Sequence, residues 1–188
     1  MDLDNILDNI YPLPEQSKAL LKEKIYEITY PRAHVLFKLN RIAPKVYFIR
    51  KGIVRAYASP EGEEEITFWF GKEGDAVLSM KNYVENKKGY ETIELLEPCQ
   101  LYEIQTEDLR ALYNTDIHIA NWGRTFAEQE LIKVEERFIS RQCRTALERY
   151  KELMNTNPDL LQRVQLAHIA SYLGITPVSL SRIRAEFK

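Results

Sequence analysis

Apolar positions recur at helical spacing at both ends of this chain, while its middle is a series of short β-type runs. Leu3, Ile6, Leu7 and Ile10 mark a first helix, and Pro12 and Pro14 interrupt it. Ser17 to Tyr26 then resumes the period through Leu20, Leu21 and Ile25, so helix is predicted to about Ile28. From Tyr30 to Leu101 the texture changes to HVLF, VYFIR, GIVRAYAS, EEITFWF, YETIELL and CQLYEI, rich in Val, Ile, Thr and aromatic residues. Gly52, Ser59-Pro60-Glu61-Gly62, Gly71 to Asp75 and Asn86 to Gly89 punctuate these runs as turns. Short strands at such spacing predict a small antiparallel barrel, sandwich or roll.

Past Thr106 the strands stop. Thr106-Glu107-Asp108-Leu109 starts a short helix, and Asp116 opens a longer one to about Phe138. Within it Ala120, Ala127, Leu131, Val134 and Phe138 form a nearly heptad seam, interrupted at Gly123-Arg124. Such a seam packs either on the strands or on its own copy, and pairing with a second copy is the expectation. A further helix, Ser140 to Met154, leads through Asn155-Thr156-Asn157-Pro158 to the last stretch, Val164 to Lys188.

That stretch reads as two short helices. Leu166, Ile169, Ala170 and Leu173 make the first apolar on one face, and Gly174 ends it, with Ile175 folding back. Thr176 followed by Pro177 is a start signal: the hydroxyl caps free amides, and proline fits the first helical position, where no N–H is needed. Leu180, Ile183 and Phe187 should then face inward, leaving Val178, Ser179 and Arg182 on the outer N-terminal face. A helix-turn-helix recognition helix presents base-reading side chains from this face, although a hairpin that packs only locally shares the pattern.

Charge adds weight to the first reading. The net charge of −2 hides nine Lys/Arg against four acids from Arg137 onward, so a basic tail follows an acidic body. That distribution suits a polyanion bound at the C-terminal end. No run has the apolar length of a membrane span, and the acidic start MDLDNILDNIYP lacks a signal peptide's basic flank, so a cytoplasmic protein without a membrane partner is expected. Cys99 and Cys143 lie too far apart in sequence to suggest a chelating pair or a disulfide framework. An iron–sulfur cluster needs about four thiolates. His34, His118 and His168 are isolated, and no phosphate loop or nucleophile elbow is visible, which argues against an enzyme, including a cupin-like metal enzyme.

A β-roll, a long helix and a terminal helix-turn-helix in this order resemble the Crp/Fnr family of bacterial transcription regulators over essentially the whole chain. VYFIRKGIVRAYASPEGEEEITFWFGKEGD (Val46 to Asp75) looks like the family's sensor roll, and HIASYLGITPVSLSRIR looks like its reader. The implied fold class is α+β: an antiparallel, jelly-roll-like β-roll of the cyclic-nucleotide-binding-domain fold with N-terminal helices at 1–115, a dimerisation helix at 116–138, and a winged-helix-like helix-turn-helix domain at 139–188. The resemblance implies a homodimer on double-stranded DNA with a palindromic operator, and leaves a contact with RNA polymerase open. Arg182 falls where the family places a guanine-reading arginine, able to donate to O6 and N7. Ser179 can reach a phosphate or a base edge, while Thr176, Gln165 and Arg163 can hold phosphates. Pro177 and Val178 stand where well-known members carry Arg and Glu, so a different operator is expected, with Val178 suited to a thymine methyl.

In the roll the resemblance implies a ligand site, and here the chain departs from the pattern. The family's Gly-Glu pair appears as Gly74-Asp75, which a plain turn also explains. Its phosphate-binding arginine falls near Tyr90-Glu91, and there is no arginine from Lys72 to Leu109. Glu91 would repel a phosphate, with Lys87 or Lys88 as compensating charges from the loop. Cyclic AMP is therefore not the expected effector; another small molecule, or none, takes its place, and no cofactor is predicted. A β-roll sensor whose C-terminal helices bind a protein is the competing reading.

Overall fold

The computed structural model describes residues 1–59 and 64–186, and it divides into two compact units. The turn residues Pro60-Glu61-Gly62, and Phe187, which the sequence pattern predicts to face inward, lie outside the described residues.

The first unit holds Met1–Ala56 and Phe70–Glu130. It opens with α1 (Leu3–Ile10), capped by the Asp2 carboxylate, and α2 (Glu15–Glu23), separated by the proline-bearing break. Helix ends there, earlier than the sequence predicts. Tyr26–Tyr30 (YEITY) is β1, whose β-branched and aromatic residues pair antiparallel with β8 from Tyr26 opposite Glu103 to Tyr30 opposite Cys99. Pairing with a strand some seventy residues away overrides the continuation of the helical period through Ile25.

The strands follow as β2 (Val35–Phe37), β3 (Lys45–Lys51), β4 (Val54–Ala58), β5 (Ile66–Gly71), β6 (Ala76–Val77), β7 (Thr92–Leu95) and β8 (Cys99–Gln105). They make two four-stranded sheets, β1-β8-β3-β6 and β2-β7-β4-β5. A short helix, α3 (Met80–Glu85), lies in what the sequence leaves as loop; Arg110 donates to its terminal carbonyls at Tyr83 and Val84. α4 (Thr106–Thr115) follows β8. The core joins these layers: Ile6, Leu7, Leu13 and Leu21 from the N-terminal helices, Val46, Phe48, Tyr102 and Ile104 from the β3–β8 pair, and Leu109, Leu112, Ile119 and Trp122 from the helices after it. Burying each of these large side chains contributes about 1.5–3 kcal/mol.

Helix α5 runs Ile117–Cys143, capped by Asp116, whose Oδ1 accepts the amides of His118 and Ile119. It continues five residues past the predicted end at Phe138 and takes in Ser140, assigned from sequence to the next helix. Nothing between Ile139 and Cys143 breaks a helix, and the next start signal is the Thr145–Glu148 capping box. The chain's second unit, Tyr57–Trp69 with Leu131–Lys188, therefore begins within this helix and includes part of the β4–β5 hairpin.

Its remaining elements are α6 (Ala146–Thr156), α7 (Pro158–Arg163), α8 (Leu166–Leu173) and α9 (Pro177–Ala185). α7 occupies sequence expected as linker, with Pro158 at its first position. From Ala146 to Ala185 the described elements are helices, so the winged-helix-like expectation is met in its helical part.

Candidate nucleic-acid interface

The helix pair α8–α9 forms through the local signals that predict it. Gly174 sits at φ +68°, and the amides of Gly174 and Ile175 close on carbonyls of Ser171 and Ala170. Positive φ at this point strains any side chain but costs glycine nothing. Thr176 caps α9 by accepting the Ser179 amide at 3.2 Å, and its hydroxyl also meets the Ser179 hydroxyl at 3.0 Å. Ile169, Ala170, Leu173 and Leu180 are buried, whereas Leu166 and Ile183 are half-buried.

Burying Leu180 fixes which side of α9 faces out. Val178 is 62 % exposed, Pro177 and Arg182 are exposed, and Ser179 is half-buried against the cap. Arg184, two residues beyond the predicted set, adds a second cation in the last turn. Gln165 is the exposed residue preceding α8, and Arg163 ends α7 half-buried. The structure thus brings Thr176, Pro177, Val178, Ser179 and Arg182 onto two successive turns of one helix and sets Gln165 at the start of its partner. An exposed helix N-terminus, a small apolar contact and a forked cation are the groups that duplex DNA takes from such a motif.

Two braces behind this surface escape sequence reasoning. Arg149, on α6, donates through Nη2 to the Leu173 carbonyl at 2.7 Å and through Nη1 to carbonyls of Arg141 and Arg144. It places a cation on the C-terminal ends of both α5 and α8, where the helix dipole favours it. Ser171, on α8, bonds the β5 edge at Glu65 and Thr67. Neither partner is within a helical turn of the side chain in sequence, so no local pattern announces it.

The seam residues of α5 differ among themselves. Ala120 is half-buried, while Ala127, Leu131, Val134 and Phe138 are exposed. The residues that bury the helix against the roll core are instead Ile119 and Trp122, whose indole donates to the Leu7 carbonyl at 3.0 Å.

In the roll, Gly74 and Asp75 form the turn before β6. Gly74 donates to the Ile49 carbonyl, the Asp75 carbonyl accepts from Ile49, and the Asp75 carboxylate accepts the Lys72 amide at 2.9 Å. Lys87 ion-pairs with Glu85 at 2.9 Å, and Lys88 is exposed. Tyr90 is exposed, but Glu91 is only 4 % exposed, in line with the inward-facing Ile93 and Leu95, and its Oε2 accepts the Tyr90 amide. Among the described residues of this unit, the buried arginine is Arg55 on β4, which donates to Glu94 on β7 at 3.0 Å. Among the described residues no group of three or more His, Cys, Asp or Glu is placed to hold a metal ion, and no helix is long and apolar enough to cross a membrane.

Comparison with known proteins agrees with this architecture. Residues 27–116 match the family model of the cyclic nucleotide-binding domain. No curated protein matches the sequence. Among solved structures, FixK2 from Bradyrhizobium japonicum is similar at 19 % identity and a TM-score of 0.75, covering 86 % of this chain and 83 % of that one. A protein from Eubacterium rectale described as a transcriptional regulator of the Crp/Fnr family is similar at 16 % identity and TM-score 0.74, over 95 % and 87 % of the two chains. CLP, the c-di-GMP-responsive global regulator of Xanthomonas campestris, is similar at 16 % identity and TM-score 0.72, over 93 % and 91 %. Over residues 27–116 the chain is similar to the cyclic nucleotide-binding domain, and as a whole it shares its fold with FixK2 and with the Eubacterium rectale protein described as a Crp/Fnr-family regulator.

Proposed function

We propose that this protein is a homodimeric, sequence-specific DNA-binding regulator of transcription, acting in the cytoplasm, whose roll does not take cyclic AMP. The observation that carries the DNA-binding reading is the division of α9: Leu180 is fully buried while Val178 and Arg182 stand exposed on a capped helix start. Arg182 reads guanine, Val178 contacts a thymine methyl, and Thr176, Ser179, Gln165 and Arg163 position the phosphates. Leu131, Val134 and Phe138 pair with the same residues of a second copy, giving two readers for two half-sites.

The ligand reading rests on Glu91. A carboxylate that is almost wholly buried where the family's resemblance expects a phosphate-holding arginine repels the cyclic phosphate in a medium that screens poorly. Lys87 does not offset it, since its ammonium is engaged by Glu85.

The test is selection of bound sequences from a random duplex library, followed by titration at several salt concentrations. A steep fall of affinity with salt is expected, and Arg182→Ala should weaken the selected site by about 1–3 kcal/mol while sparing scrambled duplex. Equal loss on both duplexes overturns base reading by Arg182. No retention of any duplex at low salt overturns DNA binding and favours a protein partner for the C-terminal helices.

A further inference from the structure

The β4–β5 hairpin leaves β5 as the outermost strand of its sheet. An edge strand carries N–H and C=O groups that face away from the sheet and need partners. At the start of β5 two of them meet one side chain. The Ser171 hydroxyl donates to the Glu65 carbonyl at 2.6 Å and accepts the Thr67 amide at 2.9 Å. Glu65 and Thr67 are alternate residues, so both groups point the same way, and one hydroxyl serves them as a residue of an added strand would. Thr67 is fully buried, so water does not readily replace this partner.

Ser171 lies in the last turn of α8. Its own carbonyl accepts the Gly174 amide at 3.1 Å, the bond that closes the turn into α9. The residue is therefore tied to the hairpin through its side chain and to the recognition helix through its backbone. The same compact unit holds Tyr57–Trp69, which includes the end of β4 and most of β5, together with Leu131–Lys188.

We propose that Ser171 is a positioning residue: through it the β4–β5 hairpin and the α8–α9 reader move as one body, and the hairpin sets the pose in which α9 meets DNA. The DNA part of this inference rests on the function proposed above; the coupling itself does not.

The experiment uses the full chain with Ser171→Ala, and Ser171→Thr as the variant that keeps the hydroxyl. Amide hydrogen exchange by NMR at Thr67, Gly174 and Ile175 reads the coupling, and affinity for the library-selected duplex reads the pose. With Ala, exchange should quicken roughly 2–10-fold at Thr67 and also at Gly174 and Ile175, the range expected for one lost hydrogen bond. Affinity for the selected duplex should fall by a similar factor, with Thr restoring both. Unchanged exchange at Thr67, or a change confined to Thr67, overturns the coupling. Faster exchange at all three amides with full duplex affinity overturns the positioning role. Should the wild-type chain bind no duplex, the function proposed above fails, while the exchange rates still decide whether hairpin and reader are coupled.

Discussion

The two halves of α5 have similar apolar content and opposite surroundings. In the first half Ile119 is fully buried and Trp122 is 1 % exposed, with the Trp122 ring edge-on to Phe48 at 6.0 Å and stacked with Phe126 at 6.1 Å. Gly123 lets α4 come close: a Cβ there would lie 2.6 Å from the Tyr113 ring. In the second half Leu131 is 68 % exposed and Phe138 64 %, with Ile132, Val134 and Ile139 more than half exposed. A continuous apolar strip of this kind is costly in water and marks an interaction surface. Periodicity therefore identifies an apolar stripe without saying what covers it. The stripe that meets the core, Ile119–Trp122–Phe126, is not the predicted seam, and most of the predicted seam is what remains uncovered.

Substitutions in the two halves should separate stability from association. The largest effect is expected for Trp122→Ala, which empties a core position and removes the hydrogen bond to Leu7. We expect a loss of about 3–5 kcal/mol in urea unfolding. A loss below about 1 kcal/mol would mean that the first half is not anchored there. Leu131→Asp combined with Phe138→Asp should leave subunit stability within about 0.5 kcal/mol per site, because both side chains are exposed. The same pair should reduce the mass seen by light scattering from dimer to monomer. A dimeric mass that persists would remove the second half of α5 from the interface.

The smallest effect concerns the cap that starts the helix. Partial burial raises the pKa of the Asp116 carboxyl, but hydrogen bonds from Ser17 and the amides of Ile119 and His118 outweigh it and hold the group below its ordinary value of 3.8. Its stabilisation is thus present above that value and is lost as pH falls through the lower folded pKa. Asp116→Ala should cost about 0.5–2 kcal/mol near neutral pH, with the gap from wild type closing below about pH 4. A gap that is constant from pH 7 to pH 3 would show that the charge contributes nothing.

Legibility follows the range of the interactions. The α8–α9 pair is legible in the sequence because Gly174, Thr176 and Pro177 act within a turn of where they stand. β1 is not legible locally, because Ile25 extends a helical period and only pairing with β8 cancels it. α3 and α7 are six-residue helices, too short to show a period, and α3 is supported by Arg110 from α4. The burial of Glu91 depends on strand register, which turns the side chains of Glu91, Ile93 and Leu95 to one side.

What the sequence determined by itself was the order of roll, long helix and terminal helix pair, the caps and stops of α8 and α9, and the apolar stripe on α5. These rest on hydrogen bonds and spacings of two to four residues, which any window of sequence displays. Only the tertiary structure decided which half of α5 is covered, where Glu91 points, and that Ser171 holds the hairpin. Trp122 finds Leu7 across 115 residues, and Ser171 finds Glu65 across 106. Partners so distant are chosen by the packing of whole elements, and no local pattern encodes that choice.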